Sequence, residues 1–394
     1  MNKRVVIAIV AVLVLIAGLF AFIPRGSDEP VAQPTNPDAS NSAGSQVDIN
    51  ETGITTPPEP QPAIDFSKIQ KGEKPPQFVV VSFDGGVENK TGIMQHYLDL
   101  AQRTDSRFSF FLSGVYLLPD NKMRLKYDPP NHPRGSSAIG FGDPEIMETR
   151  INTLAEAYRA GHEVGTHYNG HFCGSNGVQA WNKADWTSEI NQFNDILNNW
   201  RAYNPQAASA GPLPFNATVV KGGRTPCLEG QRSAMYSAFK DAGYLYDTSN
   251  SGTLKWPQKT KNGLWDIPLQ AIVIPGLGNQ GVLSMDYNFL VNQNNGNQQG
   301  SQEKCNQVRE QSLAAYKKAL KDVYSGNRAP LILGNHMNNW MCNAYTEALT
   351  EFVEETHKEK PDVRFISTLD LVTWLQEQDP EVVKELMARP TQAQ

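Results

Sequence analysis

The chain has 394 residues, with 35 Lys and Arg against 41 Asp and Glu, for a formal charge of −6. That length fits one large domain or two small ones. The mildly acidic balance, with no basic block beyond the extreme N-terminus, argues against nucleic acid as a partner.

Lys3 and Arg4 precede an unbroken apolar run from Val5 to Ile23. The run is long enough to cross a bilayer and longer than the usual apolar part of a signal peptide. No clean small-x-small cleavage site follows in Phe20-Ala21-Phe22-Ile23-Pro24. The expectation is an uncleaved signal anchor over residues 1–25, its positive end in the cytoplasm and the rest of the chain outside. A cleaved, secreted form is the alternative. Residues 26–75 are rich in Pro, Ser, Asn and Gln, with Pro30, Pro34, Pro37, Pro57, Pro58, Pro60 and Pro62 punctuating them. Such a stretch buries no core, and a disordered linker is expected.

The folded part is expected over residues 76–380, with a C-terminal tail over 381–394. It opens with an apolar β-branched run at 77–83, a buried strand, ending in Asp84-Gly85-Gly86, a turn signal. A helix is predicted over 91–102 and a strand over 107–112. The irregular stretch 113–144 reads as an active-site rim, since a loop of that length inside a domain is usually functional. A helix over 146–160 ends at Gly161, and a short strand over 163–166 runs into His167. Further on, the pattern gives a helix at 186–200, a strand at 219–221, a helix at 231–241, and strands at 244–246 and 264–268. Residues 275–300, rich in Gly, Asn and Gln, read as a long loop. A helix over 303–324, a strand over 330–333, a helix over 346–357, a strand over 364–367 and a helix over 368–376 complete the chain. Such alternation predicts parallel strands with helices outside. A barrel is favoured over a doubly wound sheet, because no Gly-rich phosphate loop follows the first strand.

Chemistry concentrates in GHEVGTHYNGHFCG, residues 161–174, which holds two of the seven histidines, His167 and His171. On a helical turn an i,i+4 pair projects both imidazoles from one face toward one cation, and imidazole suits zinc and its neighbours. A surface or capping pair is the competing reading. Asp84, Arg224 and His336 each follow an apolar, strand-like run, the place where an α/β barrel carries its chemistry. Cys173, Cys227, Cys305 and Cys342 permit two disulfides in an oxidising compartment. Three pairings are open; the reading leans to Cys173–Cys227 with Cys305–Cys342.

The ordered set SFDGG, HYNGH, RTPC, YDTS and the Asn335-His336 pair, with Trp340 beyond it, resembles the NodB-homology polysaccharide deacetylases of carbohydrate esterase family 4. The spacing is most similar to their longer, chitin-deacetylase-like branch. The resemblance spans roughly residues 77–376. It implies a distorted (β/α)7-type barrel and a metal-dependent hydrolase, zinc being the usual ion. The activity implied is removal of N-acetyl groups from an N-acetylglucosamine-containing cell-wall or surface polysaccharide. By position, Asp84 is the general base, Arg224 the residue that orients it, and His336 the general acid. His167 and His171 are metal ligands, and Cys227 sits where the family supplies an oxyanion donor. Asp247 is expected to tune His336 or Arg224, and Trp256, Trp265 and Trp340 to wall the acetyl pocket or stack on sugar. The family's third metal ligand is an Asp at the position of Gly85. Asp84 itself, Glu88, Asn89 or a water would have to fill that role. The alternative is a catalytically inactive sugar-binding protein anchored at the cell surface.

Overall fold

Eight consecutive buried residues, Gln77–Asp84 (β1), form the strand that the molecule is built on. Their apolar β-branched run suits a parallel strand covered on both faces. In this computed structural model, which describes residues 57–64 and 67–394, the elements then follow in order. They are Ile93–Arg103 (α1), Ser109–Leu112 (β2), Met147–Arg159 (α2), Glu163–Thr166 (β3), Lys183–Asn198 (α3), Trp200–Tyr203 (α4) and Arg232–Asp241 (α5). Short strands come next: Tyr246–Asp247 (β4), Ser251–Gly252 (β5), Gln258–Lys259 (β6), Trp265–Asp266 (β7), Leu269–Val273 (β8) and Gly281–Leu283 (β9). Asp286–Asn294 (α6), Gln302–Ser325 (α7), Leu331–His336 (β10), Trp340–Glu359 (α8), Val363–Ile366 (β11), Thr368–Glu377 (α9) and Pro380–Ala388 (α10) close the chain.

β1 pairs in parallel with β10, β2 and β11, and β2 pairs in parallel with β3. Backbone bonds carry the pairing onward from β3. Thr166 N–H donates to the Gly222 carbonyl, and Leu245 N–H to that of Lys221. β4 pairs with β7 and β5 with β8, both in parallel, while β8 pairs antiparallel with β9. Gly334 N–H on β10 then donates to the Ser284 carbonyl at 2.7 Å, so the circuit of pairings returns to β1. The fold is α/β with a parallel sheet, as expected, and its strand C-termini gather at one end of that ring.

Three expectations are corrected. Residues 275–300 are not all loop: β9 and α6 lie within them. The apolar residues Phe289 and Leu290 of α6 are buried, a helical face that the surrounding Asn and Gln residues obscure. Residues 57–64 of the expected linker lie along the folded part. Gln61 Nε2 donates to the Tyr158 and His162 carbonyls at 2.8 and 2.9 Å, and Arg107 donates to that of Pro62 at 2.7 Å. An extended Pro-rich segment forms no hydrogen bonds of its own, so its carbonyls remain free to accept from the body. The tail is not separate either. α10 buries Val382 and Leu386, and the Gln394 side chain bonds the backbone of Val273 and Ala271 on β8 at 2.8 and 2.7 Å. Among the described residues no helix is long and apolar enough to cross a membrane; the expected anchor, residues 1–25, lies outside them.

Candidate active site

Asp84 and His336 end neighbouring parallel strands and are partners in register, so their backbones stand about 4.8 Å apart. Asp84 is kept in place by glycines of two kinds. Gly85 turns the chain at φ +66°, and a Cβ on Gly86 would lie 2.8 Å from Cα of Phe110 on β2. Glycine therefore meets a backbone need at the first position and a packing need at the second.

Asp84 Oδ1 accepts from Arg224 Nη1 at 2.7 Å, with 4% and 1% of the two side chains exposed. Arg224 places three more donors on Ser82 Oγ, Thr248 Oγ1 and the Thr248 carbonyl, at 3.0, 3.0 and 3.2 Å. Burial pushes the Asp84 carboxyl up, but the charge and hydrogen bond of the Arg224 guanidinium, with the neighbouring His336, hold it below the ordinary value. Asp84 is thus ionised at neutral pH. Its Oδ2 takes no hydrogen bond from the described residues, which leaves that oxygen for a proton.

His336 is held by a residue that the sequence reading did not single out. Its Nδ1 lies 2.6 Å from Asp286 Oδ1, and its backbone N–H donates to Asp286 Oδ2 at 2.8 Å. A carboxylate accepts, so Nδ1 carries the proton and Nε2 is left for the substrate side. Burial lowers the imidazole pKa, but Asp286 and Asp84 more than compensate and raise it above the ordinary value. Asp286 opens α6 inside the stretch expected to be loop. Its only sequence signal is the helical spacing of Asp286, Phe289 and Leu290.

His167 and His171 do come together, with ring centroids 5.0 Å apart, but not on a helix. Tyr168 and His171 have φ of +60° and +56°, so a strained coil, not an i,i+4 turn, sets the geometry; such strain clusters at functional sites. The loop is pinned from behind by Glu189 of α3, which accepts Asn169 N–H at 2.9 Å and the Tyr127 hydroxyl at 3.0 Å. Burial pushes the Glu189 carboxyl up to about 7. His167 Nδ1 meets the Arg224 carbonyl at 2.8 Å. A carbonyl only accepts, so Nδ1–H donates and Nε2 keeps its lone pair. Burial lowers the pKa of both rings, His167 to about 3. Both are neutral imidazoles, the form that binds a metal.

The third ligand is a different matter. A Cβ on Gly85 would stand 3.3 Å from Tyr116 Cε2, so an aromatic edge borders the place of the missing carboxylate. Glu88 is buried and accepts the N–H groups of Asn89, Met94 and Gln95 at 2.8, 3.3 and 2.8 Å, capping α1. Asn89 Oδ1 accepts from Thr91, and its Nδ2 donates to the Met337 carbonyl at 3.1 Å. Neither is free to replace the Asp. Among the described residues the three-member group of close ligand atoms is His171, Cys173 and Cys227. Its two sulfurs are joined in a disulfide, so it offers no thiolate ligand. Among the described residues no carboxylate joins His167 and His171 in a group of three close ligand atoms.

Both expected disulfides occur, with Cα–Cα distances of 6.1 Å for Cys173–Cys227 and 5.9 Å for Cys305–Cys342. Cys227, at φ +55°, is thereby tied beside His171, while Cys342 ties the turn after His336 to α7. Of the three tryptophans, only Trp340 reaches the site, its ring centroid 5.7 Å from that of His336. Trp256 is buried against Trp374 at 6.0 Å, and its indole N–H donates to the Asn327 carbonyl. Trp265 packs under Lys259 at 4.8 Å. Both belong to the core, where an indole's large apolar surface is most often placed. Asp247 does not touch His336 or Arg224. It accepts from Ser249 Oγ at 2.5 Å, whose oxygen in turn accepts Thr225 N–H at 2.8 Å, so it supports the loop that carries Arg224. A cavity of about 830 Å³ lies elsewhere, at the N-terminal ends of β2 and β3, lined by Pro62, Arg107, Arg159 and His162.

No protein-family model and no curated protein matches the chain. Among solved structures it is similar to a Mycobacterium smegmatis protein assigned as a polysaccharide deacetylase, at 13% identity and TM-score 0.46, over 86% of this chain and 99% of that one. A cobalt-bound family 4 acetyl xylan esterase from Clostridium thermocellum is similar at 14% identity and TM-score 0.40, over 76% and 92%. A carbohydrate esterase family 4 pseudoenzyme from Bacillus anthracis is similar at 9% identity and TM-score 0.39, over 75% and 66%. At these scores the likenesses carry no weight in assigning a residue role or an activity. The solved structures that this chain is similar to thus include family 4 carbohydrate deacetylases and esterases and one pseudoenzyme.

Proposed function

We propose that the chain is a polysaccharide deacetylase of the carbohydrate esterase family 4 type, removing N-acetyl groups from an N-acetylglucosamine-containing cell-wall or surface polysaccharide. The observation that carries this reading is the pairing of Asp84 with His336 at adjacent strand ends, each with its own buried counter-charge, Arg224 or Asp286. Two groups whose surroundings push their pKa values apart divide the roles of base and acid. Ionised Asp84 takes a proton from water as the water oxygen bonds to the acetyl carbon. The C–N bond then breaks, His336 gives its Nε2 proton to the departing amine, and acetate and the free amino sugar are released. The substrate class rests on the ordered motif resemblance.

A divalent ion, zinc by the same resemblance, would be held by His167 and His171 and would polarise the acetyl carbonyl. With Gly85 in place of the third ligand that hold is weaker than a full site's. The same observation favours a second reading, a sugar-binding protein of the same fold that has lost catalysis. The anchor over residues 1–25 and an extracytoplasmic location for the rest form part of the proposal; the two disulfides support the latter, since they persist in oxidising compartments. The domain bounds become a folded part that takes in residues 57–64 and the tail.

Acetate release from N-acetylglucosamine oligomers by the full chain, with and without added zinc, tests the proposal against Asp84→Asn. Release by the parent alone supports it. Equal release by both, or none from a parent that binds the oligomer, overturns it, and the latter result selects the second reading.

A further inference from the structure

We infer that Cys173, Cys227 and His171 form a zinc site when the bridge between the two cysteines is reduced, with a ligand set distinct from the His167–His171 pair. The three residues offer one nitrogen and two sulfurs that all lie within 4.8 Å of one another. Around a tetrahedral zinc, with Zn–S about 2.3 Å and Zn–N about 2.1 Å, a sulfur and a nitrogen ligand stand about 3.6 Å apart. Cys173 Sγ and His171 Nδ1 are already 3.7 Å apart. Only the two sulfurs must part once their bond is broken. Two thiolates then balance the charge of one divalent ion, and thiolate with imidazole is a set that suits zinc. Two cysteines and one histidine also leave the ion an open fourth position.

The two loops that carry the sulfurs are held by more than the bridge. Gly174 N–H donates to Glu229 Oε2 at 2.6 Å, a direct tie from one loop to the other. Val178 N–H donates to the Phe172 carbonyl at 2.9 Å, and the Phe172 ring stacks on His132 with centroids 3.7 Å apart. On the other side Leu228 N–H donates to the Thr225 carbonyl at 3.1 Å, and Arg232 Nη2 to the Leu228 carbonyl at 2.9 Å. Reduction therefore leaves the ligands preorganised. Cys227 is exposed, so a dithiol in solution reaches the bridge. A thiolate of the dithiol attacks one sulfur and the Cys173–Cys227 bond breaks; the donor's second thiol then closes its own disulfide on the mixed intermediate. Two electrons and two protons pass to the chain, leaving two thiols, and zinc displaces those two protons as it binds. The Cys305–Cys342 bridge belongs to no such group among the described residues. A neutral imidazole has one lone pair, so His171 serves one ion at a time. The bridge thus keeps it available to an ion shared with His167, a consequence that rests on the deacetylase reading, whereas the sulfur site rests on geometry.

The test is titration of the full chain with cobalt(II), a spectroscopic stand-in for zinc, before and after reduction by a phosphine that is then removed under argon. The reduced chain is expected to show thiolate-to-cobalt charge-transfer absorption, to bind at least about tenfold tighter than the bridged chain, and to yield the cobalt to zinc. Reduced Cys173→Ser/Cys227→Ser is expected to lose that absorption, and reduced Cys305→Ser/Cys342→Ser to keep it. His171→Ala, which retains the bridge and both sulfurs, is expected to weaken binding by the reduced chain about tenfold. The inference is overturned if reduction brings no charge-transfer band or no gain in affinity, if the band follows the other cysteine pair, or if His171→Ala binds as tightly as the parent. Circular dichroism accompanies each titration, and unfolding of the chain on reduction overturns the inference as well. Acetate release is read on the bridged chain. A thiol-dependent site in a chain that releases no acetate upholds the site and refutes the hydrolase.

Discussion

The two halves of the candidate site are built differently. Asp84 and His336 sit on regular paired strands, and each meets a buried partner from a segment distant in sequence, Arg224 or Asp286. His167 and His171 sit on a coil at positive φ, held from behind by Glu189 and from the side by the Cys173–Cys227 bridge. The acid–base half is complete, with every close charge compensated. The imidazole half presents two neutral rings and, at Gly85, an aromatic edge 3.3 Å from where a Cβ would stand. The contrast teaches that, under the proposed function, proton transfer and metal binding would be separable in this frame, because the two pairs rest on different elements.

The largest effect should come from the complete half. Asp84→Asn is expected to reduce acetate release by about 10²–10⁴-fold. It also leaves Arg224 buried without a counter-charge, and about 3–5 kcal/mol of stability goes with it; urea unfolding beside the acetate assay separates the two losses. Next comes the lateral brace of the loops. Each disulfide, with sequence separations of 54 and 37, should contribute about 4 kcal/mol by constraining the unfolded chain. Thermal melts with and without a reductant measure this, and an unchanged midpoint refutes it.

Asp286→Asn should lower kcat about tenfold and move the basic limb of the pH–rate profile toward acid. The sign follows from the raised His336 pKa. The charged acid, and the stability of its pair with Asp286, are fully present below the ordinary value of 6.5 and are lost as pH rises through the folded value. A basic limb that stays in place would remove Asp286 from the mechanism.

Gly85→Asp sharpens the comparison most directly at a small cost. The φ of +66° and the Tyr116 contact at 3.3 Å should take about 1–2 kcal/mol, while zinc retained after dialysis should rise. If retention stays at the parent's level, the imidazole half is not a depleted metal site. A further effect is a pH trend from the core. Glu163 accepts from Ser109 and Tyr246 at 2.7 and 2.5 Å, and burial pushes its carboxyl up to about 7 from 4.5. The folded state therefore holds a proton that the unfolded state loses, so stability falls as pH rises through that window. Glu163→Gln should reduce the fall of melting temperature between those pH values, Glu189 supplying the remainder.

The reading from sequence alone reached the α/β class, the parallel strands and the place of Asp84 and His336 at strand ends, for a local reason. Buried strands write themselves as apolar β-branched runs, and the residue that ends each run is the one at the mouth of the ring. It also leaned to both disulfides. It could not reach what depends on contacts between distant segments. Asp286 lies in an Asn- and Gln-rich stretch whose helix is stabilised by burying Phe289 and Leu290, so its bond to His336 has no sequence signature. For Trp256 and Trp265 the sequence left both the site and the core open, and both lie in the core, because apolar surface alone does not say which cavity a ring fills. The spacing of His167 and His171 suggested a helix, whereas the Glu189 anchor and the Arg224 carbonyl set their geometry. Residue type and order are local properties of the chain. Which carboxylate faces which imidazole, and whether a turn is strained into place, were decided only when the strands closed into a ring.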